Sequence, residues 1–160
     1  MSLYQAYIDS PVGPLKIETN LTGLKSIQFI ELLKSTNGQK LPEIMTQTIS
    51  ELDEYFVGRR KEFSLHLDPE GTSFQQRVWR ELLKIPFGQT TSYLKLALQL
   101  GDVKAIRAVG GANGKNPIPI VVPCHRVIGS NGQLTGYAGG LPRKRWLLDH
   151  EAVSAQLPLF

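Results

Sequence analysis

The stretch Leu67-Asp68-Pro69-Glu70-Gly71 separates two parts of the chain whose apolar residues repeat with different periods. Before it, Leu3 to Asp9, Pro14 to Thr19 and Leu24 to Ile30 read as three short strands. The turn-forming runs Ser10-Pro11-Val12-Gly13 and Asn20-Leu21-Thr22-Gly23 divide them. Pro42 to Phe56 then predicts a helix, because Met45, Ile49, Leu52 and Phe56 recur every three or four residues. Phe63 to Leu67 predicts one more strand. After the connector, Thr72 or Ser73 can cap a helix to about Lys84 with Phe74, Val78, Leu82 and Ile85 as its stripe. Pro86-Phe87-Gly88 ends it. Thr90-Thr91-Ser92 caps a second helix that buries Leu94, Ala97, Leu98 and Leu100, and Asp102 caps a third from Val103 after the turn at Gly101. The expected fold is α+β: a small N-terminal sheet lobe with a helix over 1–68, and a mainly helical lobe over 69–160. Two short helices joined through a glycine turn predict a helix-turn-helix in the second lobe, with Lys104 and Arg107 on its recognition helix.

A lone cysteine, Cys124, rules out an internal disulfide and a cysteine-rich zinc site. The expectations are a free thiol, a reducing cytoplasmic compartment, no metal and no cofactor. No run approaches the roughly 20 apolar residues that a bilayer requires, and the first residues show no secretory pattern. Residues 1–50 and 51–100 are each charge-balanced. Residues 101–150 carry Lys104, Arg107, Lys115, Arg126, Arg143, Lys144 and Arg145 against Asp102 and Asp149. Excess cations in the segment that holds the cysteine favour a polyanion near a reactive site.

Ile120 to Val122, bracketed by prolines, predicts a short buried strand leading directly into Cys124-His125-Arg126. Basic neighbours lower a thiol pKa and so raise the fraction of nucleophilic thiolate. On extended chain His125 would face away from Cys124, so its proton would travel by a bridging water. A carboxylate such as Glu151 would fix the imidazole tautomer. The third helix ends in Gly110-Gly111-Ala112, which weakens a helix by about 1 kcal/mol per glycine but admits a close backbone or a groove of DNA.

Pro123-Cys124-His125-Arg126-Val127 resembles the signature of the O6-alkylguanine-DNA alkyltransferases. Thr91-Ser92-Tyr93, Arg107-Ala108-Val109-Gly110-Gly111-Ala112, Asn116-Pro117, Gly136-Tyr137 and Trp146-Leu147-Leu148-Asp149-His150-Glu151 follow at that family's order and spacing. The resemblance is strong over residues 72–151 and loose before them. It implies a monomeric protein that flips O6-alkylguanine, and O4-alkylthymine, out of double-stranded DNA through the minor groove. The alkyl group then passes irreversibly to the protein.

By that resemblance Cys124 is the alkyl acceptor, His125 and Glu151 its proton relay, and Asn116 the hinge between recognition helix and cysteine. Tyr93 rotates the nucleotide and donates to the base, and Arg107 replaces the flipped base in the stack. Tyr137, Ala138 and the backbone at Val127 line the guanine pocket. Lys104, Gly110, Gly111, Ala112 and Arg126 contact DNA. Ala138 stands where many relatives have serine, which predicts a slightly wider or less polar pocket. Gln156-Leu157-Pro158-Leu159-Phe160 resembles the short tail by which bacterial DNA-processing proteins dock on a sliding clamp. A helix-turn-helix regulator would need base-reading side chains where Gly110-Gly111-Ala112 stand. A cysteine hydrolase would need an oxyanion site and a histidine not adjacent to Cys124.

Overall fold

The computed structural model describes residues 2–36 and 38–156. Leu157 to Phe160, and with them most of the clamp-like tail, lie outside the described residues. The chain separates into two compact units, one running to Glu70 and the other beginning at Gly71.

In the first unit β1 (Tyr4–Ile8), β2 (Leu15–Thr19) and β3 (Leu24–Phe29) form an antiparallel sheet in chain order. Ala6, Ile17 and Ile27 stand opposite one another in register and are all buried, as are Leu15 and Leu24. Period-two alternation therefore puts one face of the sheet into a core. The helix α1 (Glu43–Phe56) covers it with Ile44, Met45, Thr48, Leu52 and Tyr55, one stripe at helical spacing. The predicted strand at Phe63–Leu67 shrinks to a single parallel bridge between Leu24 and Leu67. This segment borrows only Leu24's backbone: His66 accepts from it, and Asp68 donates to it.

The second unit is mostly helical: α2 (Ser73–Leu82), α3 (Tyr93–Gln99), α4 (Ile106–Gly114) and α5 (Leu141–Ser154). Thr72 and Gln75 close a reciprocal capping box at the start of α2, each side chain bonding the other's backbone N–H. α3 buries Leu96 and Ala97, whereas Leu94 and Leu98 are exposed. Capping at Ser92 starts the helix at Tyr93, which puts Tyr93, Leu96, Ala97 and Leu100 on one face and rotates the expected stripe. Gly101 makes the turn with φ 89°, and Val103–Ala105 form one 3-10 turn before α4. Trp79 Nε1 donates to the Ala112 carbonyl at 2.8 Å, tying α2 to α4.

Candidate active site

The apolar run before the cysteine is not a strand. It folds as consecutive turns, and Ile120 takes φ 76°, the one non-glycine residue with positive φ among the described residues. Proline at 117, 119 and 123 removes the donors that a strand would need. Cys124 then opens a 3-10 turn, Cys124–Arg126, closed by Arg126 N–H donating to the Pro123 carbonyl. β5 (Val127–Ile128) follows and pairs in parallel with β4 (Thr91–Ser92). The cysteine segment is thereby held beside the start of α3, where Tyr93 sits.

Asn116 performs the anchoring. Its Nδ2 donates to the Val122 carbonyl at 2.8 Å, and its Oδ1 accepts from Ile118 N–H at 3.0 Å. Its side chain also hydrogen-bonds Cys124. The end of α4 and the cysteine turn are thus linked through one buried amide.

His125 and Glu151 meet as the sequence predicted. His125 Nε2 lies 2.7 Å from Glu151 Oε2, and both side chains are essentially inaccessible. An ionised carboxylate can only accept, so Nε2 carries the imidazole proton and Nδ1 carries the lone pair. Nδ1 is buried with no hydrogen-bond partner among the described residues. Burial pushes the His125 pKa down despite its carboxylate partner. For Glu151 burial pulls upward, but the hydrogen bond from His125 and the hydrogen bonds and charge of Arg126 outweigh it and hold the carboxyl below its usual range.

Three expectations change. Arg126 is buried rather than presented to DNA: its Nε and one terminal nitrogen grip Glu151 at 2.7 and 3.1 Å, and the other donates to the Ile85 carbonyl at 2.7 Å. Cys124 is not a depressed-pKa thiol. Burial pushes it up to about 11, and the Asn116 hydrogen bond and the Lys144 charge recover only part of that. The basic neighbours do not help because Arg126 spends its charge on Glu151 and His125 is neutral. Ala112 is buried against α2, so only Gly110 and Gly111 of that trio have exposed surface.

A cavity of about 540 Å³ is lined by Tyr93, Gly110, Asn113, Thr135, Tyr137 and Ala138 among others, and Asn113 connects it to the cysteine by facing the Cys124 carbonyl at 3.4 Å. It has room for a nucleobase. Thr135 Oγ1 donates to the Tyr93 hydroxyl at 3.2 Å, which leaves the Tyr93 proton available. Val127, expected at the pocket through its backbone, is not among the lining residues; it is buried and its carbonyl accepts from Lys144 Nζ at 2.7 Å. Lys104 and Arg107 are exposed on the outer side of α4 and the turn before it.

Lys144 was missed by sequence reasoning. It is wholly buried and also donates to the Thr135 carbonyl at 2.8 Å, so it joins β5 to the loop that carries Tyr137 and Ala138. A lysine flanked by two arginines near the start of a helix reads as surface, and only the tertiary fold shows otherwise. Asn113 was missed for a similar reason.

The chain matches known proteins over nearly its whole length. The family described as 6-O-methylguanine DNA methyltransferase matches in two parts: its ribonuclease-like domain over residues 3–69 and its DNA-binding domain over residues 73–153. The methylated-DNA–protein-cysteine methyltransferase of Mycobacterium tuberculosis is 48% identical over 158 residues, 96% of each chain. That of Methanosarcina barkeri is 44% identical, over 93% of this chain and 97% of its own. Among solved structures, M. tuberculosis O6-methylguanine methyltransferase superposes with TM-score 0.85 at 45% identity, covering 98% of this chain and 96% of that one. M. tuberculosis OGT in complex with DNA gives 0.85 at 47% identity, with 94% of each chain covered.

Proposed function

This chain belongs to the 6-O-methylguanine DNA methyltransferase family, and we propose that it repairs O6-alkylguanine by moving the alkyl group irreversibly onto Cys124 after the nucleotide rotates out of the duplex. The observation that supports this reading is a buried Cys124 whose carbonyl faces Asn113 of the cavity lining at 3.4 Å, followed in sequence by a histidine that pairs with Glu151. O4-alkylthymine presents the same kind of alkyl carbon to the sulfur.

The thiol keeps its proton at neutral pH, because its pKa is about 11. Proton removal therefore accompanies substrate binding. A water bridging Sγ to His125 Nδ1 carries the proton to the imidazole, and anionic Glu151 stabilises the resulting imidazolium. Sγ attacks the alkyl carbon, the S–C bond forms and the C–O6 bond breaks. The electron pair passes to the purine, where the Tyr93 hydroxyl donates a hydrogen bond to the developing anion. The thioether does not hydrolyse, so each molecule reacts once.

Duplex DNA is engaged through the minor groove by α4, with Gly110 and Gly111 allowing close approach and Lys104 meeting phosphate. Arg107 enters the stack, offsetting part of the few kcal/mol lost when a base leaves it. The protein acts as a monomer in the cytoplasm, and Gln156–Phe160 docks on a sliding clamp. Deleting 156–160 should abolish clamp binding, and unchanged affinity would remove that role.

The direct test is intact mass after incubation with a duplex containing one O6-methylguanine. The wild type gains one methyl group, and Cys124→Ala gains none. A lesion that disappears while Cys124 stays unmodified refutes the assignment.

A further inference from the structure

We infer that Asn113 reads the exocyclic amino group of the alkylated base, so that the site prefers guanine lesions to lesions that lack a hydrogen-bond donor. This rests on the reading that the cavity receives the extruded base. Asn113 lies in the last turn of α4, is 4% exposed, and lines that cavity. Its Nδ2 faces the Cys124 carbonyl at 3.4 Å. A carbonyl accepts only, so the amide cannot be turned the other way round. Oδ1 is therefore directed away from that carbonyl, and it has no partner among the described residues.

A buried amide oxygen without a donor is costly, and a ligand that supplies one recovers the loss. The chemistry of the lesion narrows the choice of donor to one group. Alkylation at O6 removes the proton from N1, so N1, N3, N7 and O6 of the base all accept. N9 is bound to the sugar. The amino group at C2 holds the only N–H donors left on the ring. Asn113 Oδ1 and that amino group are complementary, while the Tyr93 hydroxyl supplies a donor for the ring acceptors. O4-methylthymine has no N–H at all and leaves Oδ1 unpaired.

The experiment compares rates of methyl gain by intact mass on matched duplexes carrying O6-methylguanine, O6-methylhypoxanthine or O4-methylthymine. The wild type is expected to favour O6-methylguanine over O6-methylhypoxanthine by about tenfold or more, the effect of one unpaired buried acceptor. In Asn113→Leu the preference falls below about threefold, because only the rate on O6-methylguanine drops. Asn113→Asp keeps an acceptor while losing the donor to Cys124, and it retains the preference. Equal wild-type rates on the first two duplexes overturn the inference without needing any variant to fold. So does Asn113→Leu slowing both duplexes by the same factor, since that is the signature of structural support alone. Absence of any methyl gain from O6-methylguanine is a different failure, that of the proposed function itself.

Discussion

Glu151 accepts the Nε2 proton of His125 at 2.7 Å inside the second unit, with neither side chain reachable by solvent. The same carboxylate holds two nitrogens of Arg126. One acidic residue thus sets the histidine tautomer and neutralises a buried guanidinium.

That arrangement makes the fold sensitive to acid. The Glu151 carboxyl is held below its ordinary value of 4.5, so as pH falls below that value the unfolded chain binds a proton that the folded chain refuses. His125, also depressed, adds to the effect below 6.5. Stability is therefore full at neutral pH and declines as pH falls below 6.5. Urea midpoints measured from pH 7 to pH 4 should decline for the wild type. Glu151→Gln leaves Arg126 buried without its counter-charge and should be less stable at pH 7 by about 3–5 kcal/mol. A pH-independent wild-type midpoint would contradict the pairing.

Cys124 shifts the other way. An ordinary thiol near 9.0 against about 11 in the fold means roughly a hundredfold less thiolate near neutrality. Iodoacetamide should modify the DNA-free protein slowly at pH 8 and faster up to pH 10 and beyond. Methyl transfer from duplex DNA should instead stay flat across pH 7–9, since His125 is already neutral there. A free-protein alkylation rate that levels off below pH 8 would show a pre-formed thiolate and sink this account.

The strands, the capped helices and the cysteine motif were legible because each depends on neighbours in sequence. The turn-forming runs at 10–13 and 20–23 bounded the three strands, and Thr72 or Ser73 marked a helix start. The charge environment was not legible. Arg126 looks electropositive in sequence, but its partner Glu151 lies 25 positions away and cancels it. Ile120–Val122 shows the limit of apolar runs, since prolines that seemed to bracket a strand in fact deny it hydrogen bonds. Lys144 and Asn113 escaped notice because burial of a polar side chain depends on contacts that no local pattern records.

Lys144 yields a stability prediction. Its ammonium satisfies the Val127 and Thr135 carbonyls at 2.7 and 2.8 Å. Lys144→Met keeps the length of the side chain but leaves those acceptors without their donor, which should lower stability by about 2–4 kcal/mol. The loop between β5 and α5 should lose protection in hydrogen exchange, and the Cys124 thiol should titrate higher still, because the Lys144 charge lowers it now. If exchange across 129–140 is unchanged, Lys144 does not hold that loop.

Gly111 separates stability from DNA binding. A methyl group built on it meets nothing within 4 Å, whereas one on Gly71 falls 2.4 Å from the Trp79 ring. Nothing inside the free protein therefore requires glycine at 111, and alanine there should stabilise α4 by about 0.5–1 kcal/mol. If α4 lies against a groove of DNA, the same methyl group occupies space that the nucleic acid needs. Gly111→Ala should then melt a few degrees higher while binding a lesion-containing duplex about tenfold more weakly, and Gly71→Ala should lose stability without a selective loss of binding. Thermal melts and gel-shift titrations at one fixed salt concentration measure both. Undiminished affinity in Gly111→Ala would move the DNA contact off this face of the helix, because no internal contact remains to explain why the residue there lacks a side chain.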